Sequence, residues 1–141
     1  MKKKLVGFDL DGVLIDSLPL MKIAWEECMN KFSLNKDFLE YKKHIGKPFE
    51  EIMNSLDLDC FLPELKQKYD QLCINNLDLI KPYEGVQSLL NNLSKSDEIY
   101  ISIITSKTKI RAKKIVEEFN FNHQLLVTPE DVPRGKPNPD P

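Results

Sequence analysis

The chain has 141 residues, 41% of them hydrophobic, enough for one compact domain or a small two-lobed unit with a real core. Twenty Lys and Arg against 22 Asp and Glu leave a net charge of −2, which argues against wholesale binding to nucleic acid or to a membrane surface. The basic start "MKKK" leads into an apolar run that Asp9 cuts short, too short for an export signal, and no segment is long enough to span a bilayer.

The residues Leu5 to Leu10 read as a short, continuously apolar strand of the kind buried on both faces of a parallel sheet. From Leu18 the period changes. Leu18, Met21, Trp25, Cys28, Met29 and Phe32 recur at three- and four-residue steps and predict a helix with one buried stripe. Phe38, Tyr41 and Ile45 predict a second, shorter helix. "GKPFEEIMNSL" predicts a third, with Pro48 in its first turn and Phe49, Ile52, Met53 and Leu56 inward. Leu62, Leu65, Tyr69, Leu72, Asn76 and Leu79 predict a longer fourth. "KPYEGV" is a connection built on Pro82 and Gly85.

A helix over Val86 to Leu93 comes next, then the β-branched strand "IYISII" ending at Thr105. A helix follows from Thr108 to Phe119. The basic run Lys107, Lys109, Arg111, Lys113 and Lys114 reads as its solvated face. "QLLVT" is a third strand, and "PEDVPRGKPNPDP" closes the chain irregularly. Strand–helix alternation predicts an α/β fold with a parallel, Rossmann-like sheet. Residues 1–15 and 82–141 would form that core, and residues 16–81 a helical lobe inserted after the first strand. Three cysteines, Cys28, Cys60 and Cys73, are odd in number and lack metal-ligand spacing. They are expected to be buried, reduced thiols, with a cytoplasmic location as the default.

In a parallel sheet, ligands bind beyond the carboxyl ends of the strands, and Asp9, Asp11 and Thr105 all fall there. The stretch "FDLDGVLIDS" ends a buried strand with two acids and a glycine, which is costly unless partners answer the charge. A calcium loop is ruled out, because Val13 and Leu14 occupy the positions where it needs a ligand and a glycine. Gly12 permits a tight turn that exposes backbone amides.

The stretch "FDLDGVLIDS" strongly resembles the first motif of the haloacid dehalogenase superfamily of phosphatases and phosphomutases. "IITSK" resembles the second and "RGKPNPDP" the third, in the expected order, with the helical insertion at the place of the family's cap. The phosphoglycolate-phosphatase group is the most similar subgroup. The resemblance implies Asp9 as a nucleophile that becomes an aspartyl-phosphate, and Asp11 as the acid and then the base. It implies Thr105, Ser106, Lys136 and Gly12 at the phosphoryl group, and Mg²⁺ held by Asp9 and by Asp11 through its backbone carbonyl. Lys47 and its neighbour His44 are candidate substrate contacts from the cap, a solvated lysine being the plainer reading.

The expected function is Mg²⁺-dependent hydrolysis of a small phosphorylated metabolite. The alternatives are a phosphosugar mutase or a truncated, non-catalytic binding module. The family's fourth motif, an acidic strand end after the lysine, has no counterpart in these residues. The sheet is therefore expected to be incomplete at the C-terminus, the chain a fragment, and the strand bearing Asp9 open at one edge and prone to self-association.

Overall fold

A computed structural model describes residues 3–141; Met1 and Lys2 of the basic start lie outside the described residues. The order is β1 (Lys4–Phe8), β2 (Ile15–Asp16), α1 (Leu18–Phe32), α2 (Phe38–Lys42), α3 (Phe49–Ser55), α4 (Leu62–Asn75), β3 (Lys81–Pro82), α5 (Val86–Leu93), β4 (Ile99–Ile104), α6 (Lys109–Glu118) and β5 (Leu125–Val127). The parallel sheet has the strand order β1-β4-β5, with Phe8 opposite Ile103 and Ile104 opposite Val127. The α/β class read from the sequence is therefore correct.

The strand buried on both faces is β4. Ile101, Ser102 and Ile103 are all buried, because β4 has a neighbour on each side. The expectation for β1 was wrong on this point. Among the described residues β1 pairs with β4 alone, and Leu5 is 65% exposed. The open edge expected for this strand is present among the described residues.

The helical insertion has its own aromatic centre. Trp25 on α1 is fully buried and donates from Nε1 to the Lys36 carbonyl at 2.9 Å. Tyr41 packs against it with the rings tilted, at 4.6 Å between centroids, and against Tyr69 of α4 in the same way at 5.9 Å. The helix boundaries follow local chemistry. Asp37 caps α2 through Leu39 N–H, while Glu40 reaches back to Asp37 N–H. That helix stops before Ile45. The fourth predicted helix also ends early, at Asn75, and Leu77–Leu79 form a separate 3₁₀ turn. Antiparallel pairing of β2 with β3 closes the base of the insertion; no periodicity announces a two-residue ribbon. Cys28 and Cys73 are buried as expected, and burial pushes the Cys28 thiol up to about 12. Cys60 is exposed, contrary to expectation, in the 3₁₀ turn Asp59–Phe61 where no helical stripe forms.

Beyond β5, Asp131 closes a short turn by accepting from Thr128 N–H and Oγ1, and it pairs with Lys109 at the start of α6. The Lys109 and Thr128 hydrogen bonds pull its carboxyl from 3.8 down to about 2. A depressed carboxyl stabilises the fold above its unfolded value, and that contribution fades as pH falls toward the folded value. Asp131→Asn should therefore lower urea stability at pH 6, with the gap from the parent closing between about pH 4 and pH 2. Urea titrations at several pH values measure this; a gap that stays constant on acidification would contradict it.

Candidate active site

Parallel pairing puts the carboxyl ends of β1 and β4 on one edge, so Asp9 and Thr105 emerge side by side. After Asp9 the chain doubles back. Leu14 and Ile15 N–H both donate to the Leu10 carbonyl, and Gly12, at φ 76°, donates to the Ile15 carbonyl at 2.9 Å. That positive φ suits a residue without a Cβ. The turn returns Asp11 to the same edge.

Each carboxylate has its own cation. Asp9 Oδ1 accepts from Leu10 N–H at 2.8 Å and lies 3.0 Å from Lys136 Nζ. Lys136 also donates to the Ile104 carbonyl at 2.7 Å, so the C-terminal loop joins the ends of β1 and β4. Asp11 Oδ1 lies 3.0 Å from Lys107 Nζ and accepts the Ser17 hydroxyl. The two sites differ in exposure: the Asp9 side chain is 38% exposed, the Asp11 side chain 17% and that of Lys107 2%. Burial alone would raise the Asp11 pKa, but Lys107 and Ser17 outweigh it and hold the carboxyl below its ordinary value. Burial, reinforced by the charge of Arg111, lowers Lys107.

Thr105 is buried; its N–H donates to the Val127 carbonyl and its Oγ1 accepts Lys107 N–H at 3.1 Å. Ser106 donates its hydroxyl across to the Gly46 carbonyl of the insertion at 2.6 Å. A cavity of about 150 Å³ lies between these loops and the insertion, faced by Asp9, Asp11, Lys47, Ser106, Lys107 and Arg111. Lys47 thus reaches the cavity. His44 does not line it and instead belongs to the turn between α2 and α3.

Reading the basic run as a solvated face was wrong at two positions. Lys107 and Arg111 are both buried. Ala112, Ile115 and Val116 mark the inner face of α6, and Thr108 and Arg111 lie on the same stripe. That spacing could have identified Arg111; Lys107, ahead of the helix, carries no such periodic signal. Two further residues went unnoticed. Ser17 serves Asp11, and Asp70 on α4 accepts from Thr108 Oγ1 and Arg111 Nη1, each at 3.3 Å.

Among the described residues no group of three or more His, Cys, Asp or Glu converges on one point. The oxygen donors expected to face a cation here are the Asp9 carboxylate and the Asp11 backbone carbonyl, the Asp11 carboxylate being taken by Lys107 and Ser17. Hard oxygen donors of this number fit Mg²⁺, which commonly takes one or two carboxylates together with substrate phosphate and water. Asp9 is the better placed, since it is the more exposed of the two.

Breaking a buried pair by removing one partner costs roughly 3–5 kcal/mol. Lys107→Met should therefore destabilise the fold by about 3 kcal/mol, and by much less in an Asp11→Asn background, where no buried anion is left unpaired. Chemical denaturation of the four members of this cycle gives the coupling; equal losses in both backgrounds would mean that the two residues do not interact.

A family model for haloacid dehalogenase-like hydrolases matches residues 6–141. A phosphoglycolate phosphatase from Aquifex aeolicus is 26% identical over 142 residues, covering 98% of this chain and 66% of that protein. An N-acetylmuramic acid 6-phosphate phosphatase from Pseudomonas aeruginosa is also 26% identical, over all of this chain and 66% of the relative. A hydrolase of known structure from Pseudomonas syringae superposes with a TM-score of 0.83 at 26% identity, over 99% of this chain and 66% of its own. The chain thus spans about two thirds of the length of the relatives it matches. With its strand-end aspartates and their lysine partners, the chain belongs to the haloacid dehalogenase-like hydrolases.

Proposed function

We propose that this chain carries the phosphoryl-transfer centre of a phosphatase acting on small phosphate monoesters through a phosphorylated Asp9. The observation behind this reading is the division of labour between two carboxylates two residues apart. Asp9 is exposed to the cavity and fixed through one oxygen, while Asp11 is recessed and held by Lys107 and Ser17. One is free to attack and the other is positioned to move a proton.

In the first half-reaction an oxygen of Asp9 attacks phosphorus, the bond to the leaving oxygen breaks, and that oxygen takes a proton from Asp11. The negative charge of an incoming ester favours a proton on Asp11, against the pull of Lys107. In the second half-reaction water attacks the phosphorylated Asp9 and gives a proton to Asp11, and the Asp9–phosphorus bond breaks. Lys107 and Ser17 hold the Asp11 carboxyl below its ordinary value, which favours the ionised form that this second step requires. Lys136 and the Thr105 hydroxyl stand at the strand ends to meet phosphoryl oxygens; the Gly12 N–H, expected there too, is given instead to the Ile15 carbonyl. Mg²⁺ held at Asp9 and Asp11 would supply further positive charge to the phosphoryl group.

The helical insertion serves in this reading as a cap. It brings Lys47 to the cavity, and the Ser106–Gly46 hydrogen bond ties its loop to the core. A covered site of this size favours small substrates and limits access of water.

Asp9→Asn should reduce kcat for every ester by about a thousandfold or more while leaving the melting temperature close to that of the parent. Phosphate release from a panel of esters tests the reading, and trapping with beryllium fluoride followed by mass or density at Asp9 tests the intermediate. Turnover by Asp9→Asn at the parent rate would refute it.

A further inference from the structure

Asp11 is a wall shared by two cavities. Besides the one that Asp9 faces, a second cavity of about 190 Å³ opens between the turn at Gly12, the start of α1 and the loop after α2. Met21 and Ile45 also face both cavities, so the two spaces adjoin. Leu18 and Tyr83 face the second and not the first. Backbone hydrogen bonds fix their places. Leu18 N–H donates to Asp16 Oδ1 at 3.2 Å, and Tyr83 N–H donates to the Leu14 carbonyl at 3.1 Å. Yet both side chains are left open. Leu18, whose spacing puts it in the buried stripe of α1, is 38% exposed, and Tyr83 is 42% exposed. With Met21 and Ile45 they give the second cavity an apolar lining next to a carboxylate, the usual make-up of a small-molecule site.

Charge separates the two cavities. Lys47, Lys107 and Arg111 face the first, which suits a phosphoryl group. The second has one cation, Lys42, against two acids, Asp11 and Asp16. No positive charge is left there to answer a carboxylate or a second phosphate, and an unanswered anion is costly beside apolar walls. The group this cavity suits is uncharged.

A phosphate ester joins a phosphoryl end to an organic end through one oxygen, and Asp11 is the residue that serves that oxygen in the reaction above. Because Asp11 faces both cavities, an ester with its phosphoryl group beside Asp9 can place its organic group in the second. We propose that the second cavity is the leaving-group subsite of this centre, that it takes an uncharged apolar ring, and that Leu18 and Tyr83 determine this preference. A ring gives the Tyr83 side chain a face to pack against, which adds to the gain from buried area. The assignment rests on the phosphatase reading for the phosphoryl end of the site, and it adds the class of alcohol released.

The test is calorimetric titration of the full chain carrying Asp9→Asn, so that no ester turns over. Three probes are compared: ethyl phosphate, benzyl phosphate and 4-carboxybenzyl phosphate. Benzyl phosphate should bind at least about tenfold more tightly than ethyl phosphate, the low end of what one methylene is worth in an apolar pocket. The added charge should make the carboxybenzyl ester the weaker of the two ring esters. Tyr83→Ala should weaken benzyl phosphate by about tenfold and ethyl phosphate by less than about twofold. Leu18→Ala should act in the same direction, and it carries the comparison should Tyr83→Ala fail to fold.

Benzyl phosphate binding no more tightly than ethyl phosphate would overturn the proposal. So would equal weakening of both esters in the two variants, which would leave Leu18 and Tyr83 as packing at the base of the insertion. Tighter binding of the carboxybenzyl ester would overturn the uncharged assignment. Hydrolysis by the Asp9 form, measured in parallel, separates the two readings. A benzyl preference that the variants lose, without hydrolysis of any ester, overturns the phosphatase reading and supports this one; hydrolysis with no benzyl preference does the reverse.

Discussion

Two carboxylates at the end of an apolar strand can be kept close together only if each has its own cation. Asp9 takes Lys136, from the loop after β5, and Asp11 takes Lys107, from the loop after β4. Neither lysine is near its partner in sequence. The sheet order brings the ends of β1 and β4 together, the turn at Gly12 returns Asp11 to that edge, and the C-terminal loop folds back across β4. The geometry needed to balance the charges is the same geometry that gathers the groups able to act on a phosphate ester.

The helix starts show what this arrangement displaces. Ser17 stands at the N-cap of α1 and Thr108 at the N-cap of α6, and both residue types favour capping. Neither side chain caps its helix. Ser17 gives its hydroxyl to Asp11 and Thr108 gives its hydroxyl to Asp70. Asp37 of α2, remote from the cavity, makes the ordinary capping box. A side-chain cap is given up at these two helix starts beside the site and kept at α2.

Much of this was legible in the residues. The strand–helix alternation gave the fold class, and Asp9 and Thr105 stand, as expected, at the carboxyl ends of β1 and β4. The aromatic stripe through Trp25 predicted the buried centre of the insertion correctly. What failed did so for physical reasons. Apolar composition marks a strand but not what covers it, so β1 was expected to be buried on both faces when Leu5 is exposed, although its open edge was foreseen. Charge along a helix suggests solvent, yet Lys107 and Arg111 are buried because acids from distant segments, Asp11 and Asp70, meet them. Long-range pairing of this kind leaves no trace in local periodicity.

Gly135 sits immediately before Lys136, and a Cβ built there would stand 3.1 Å from Pro48 Cγ, next to Lys47 in the insertion. The backbone of one loop lies against the ring of the other with no side chain between them. A methyl group at position 135 would require the Pro48 ring or its loop to give by a few tenths of an ångström. The distance between the two lysine-bearing loops is therefore set by backbone thickness at Gly135 together with the Ser106–Gly46 hydrogen bond.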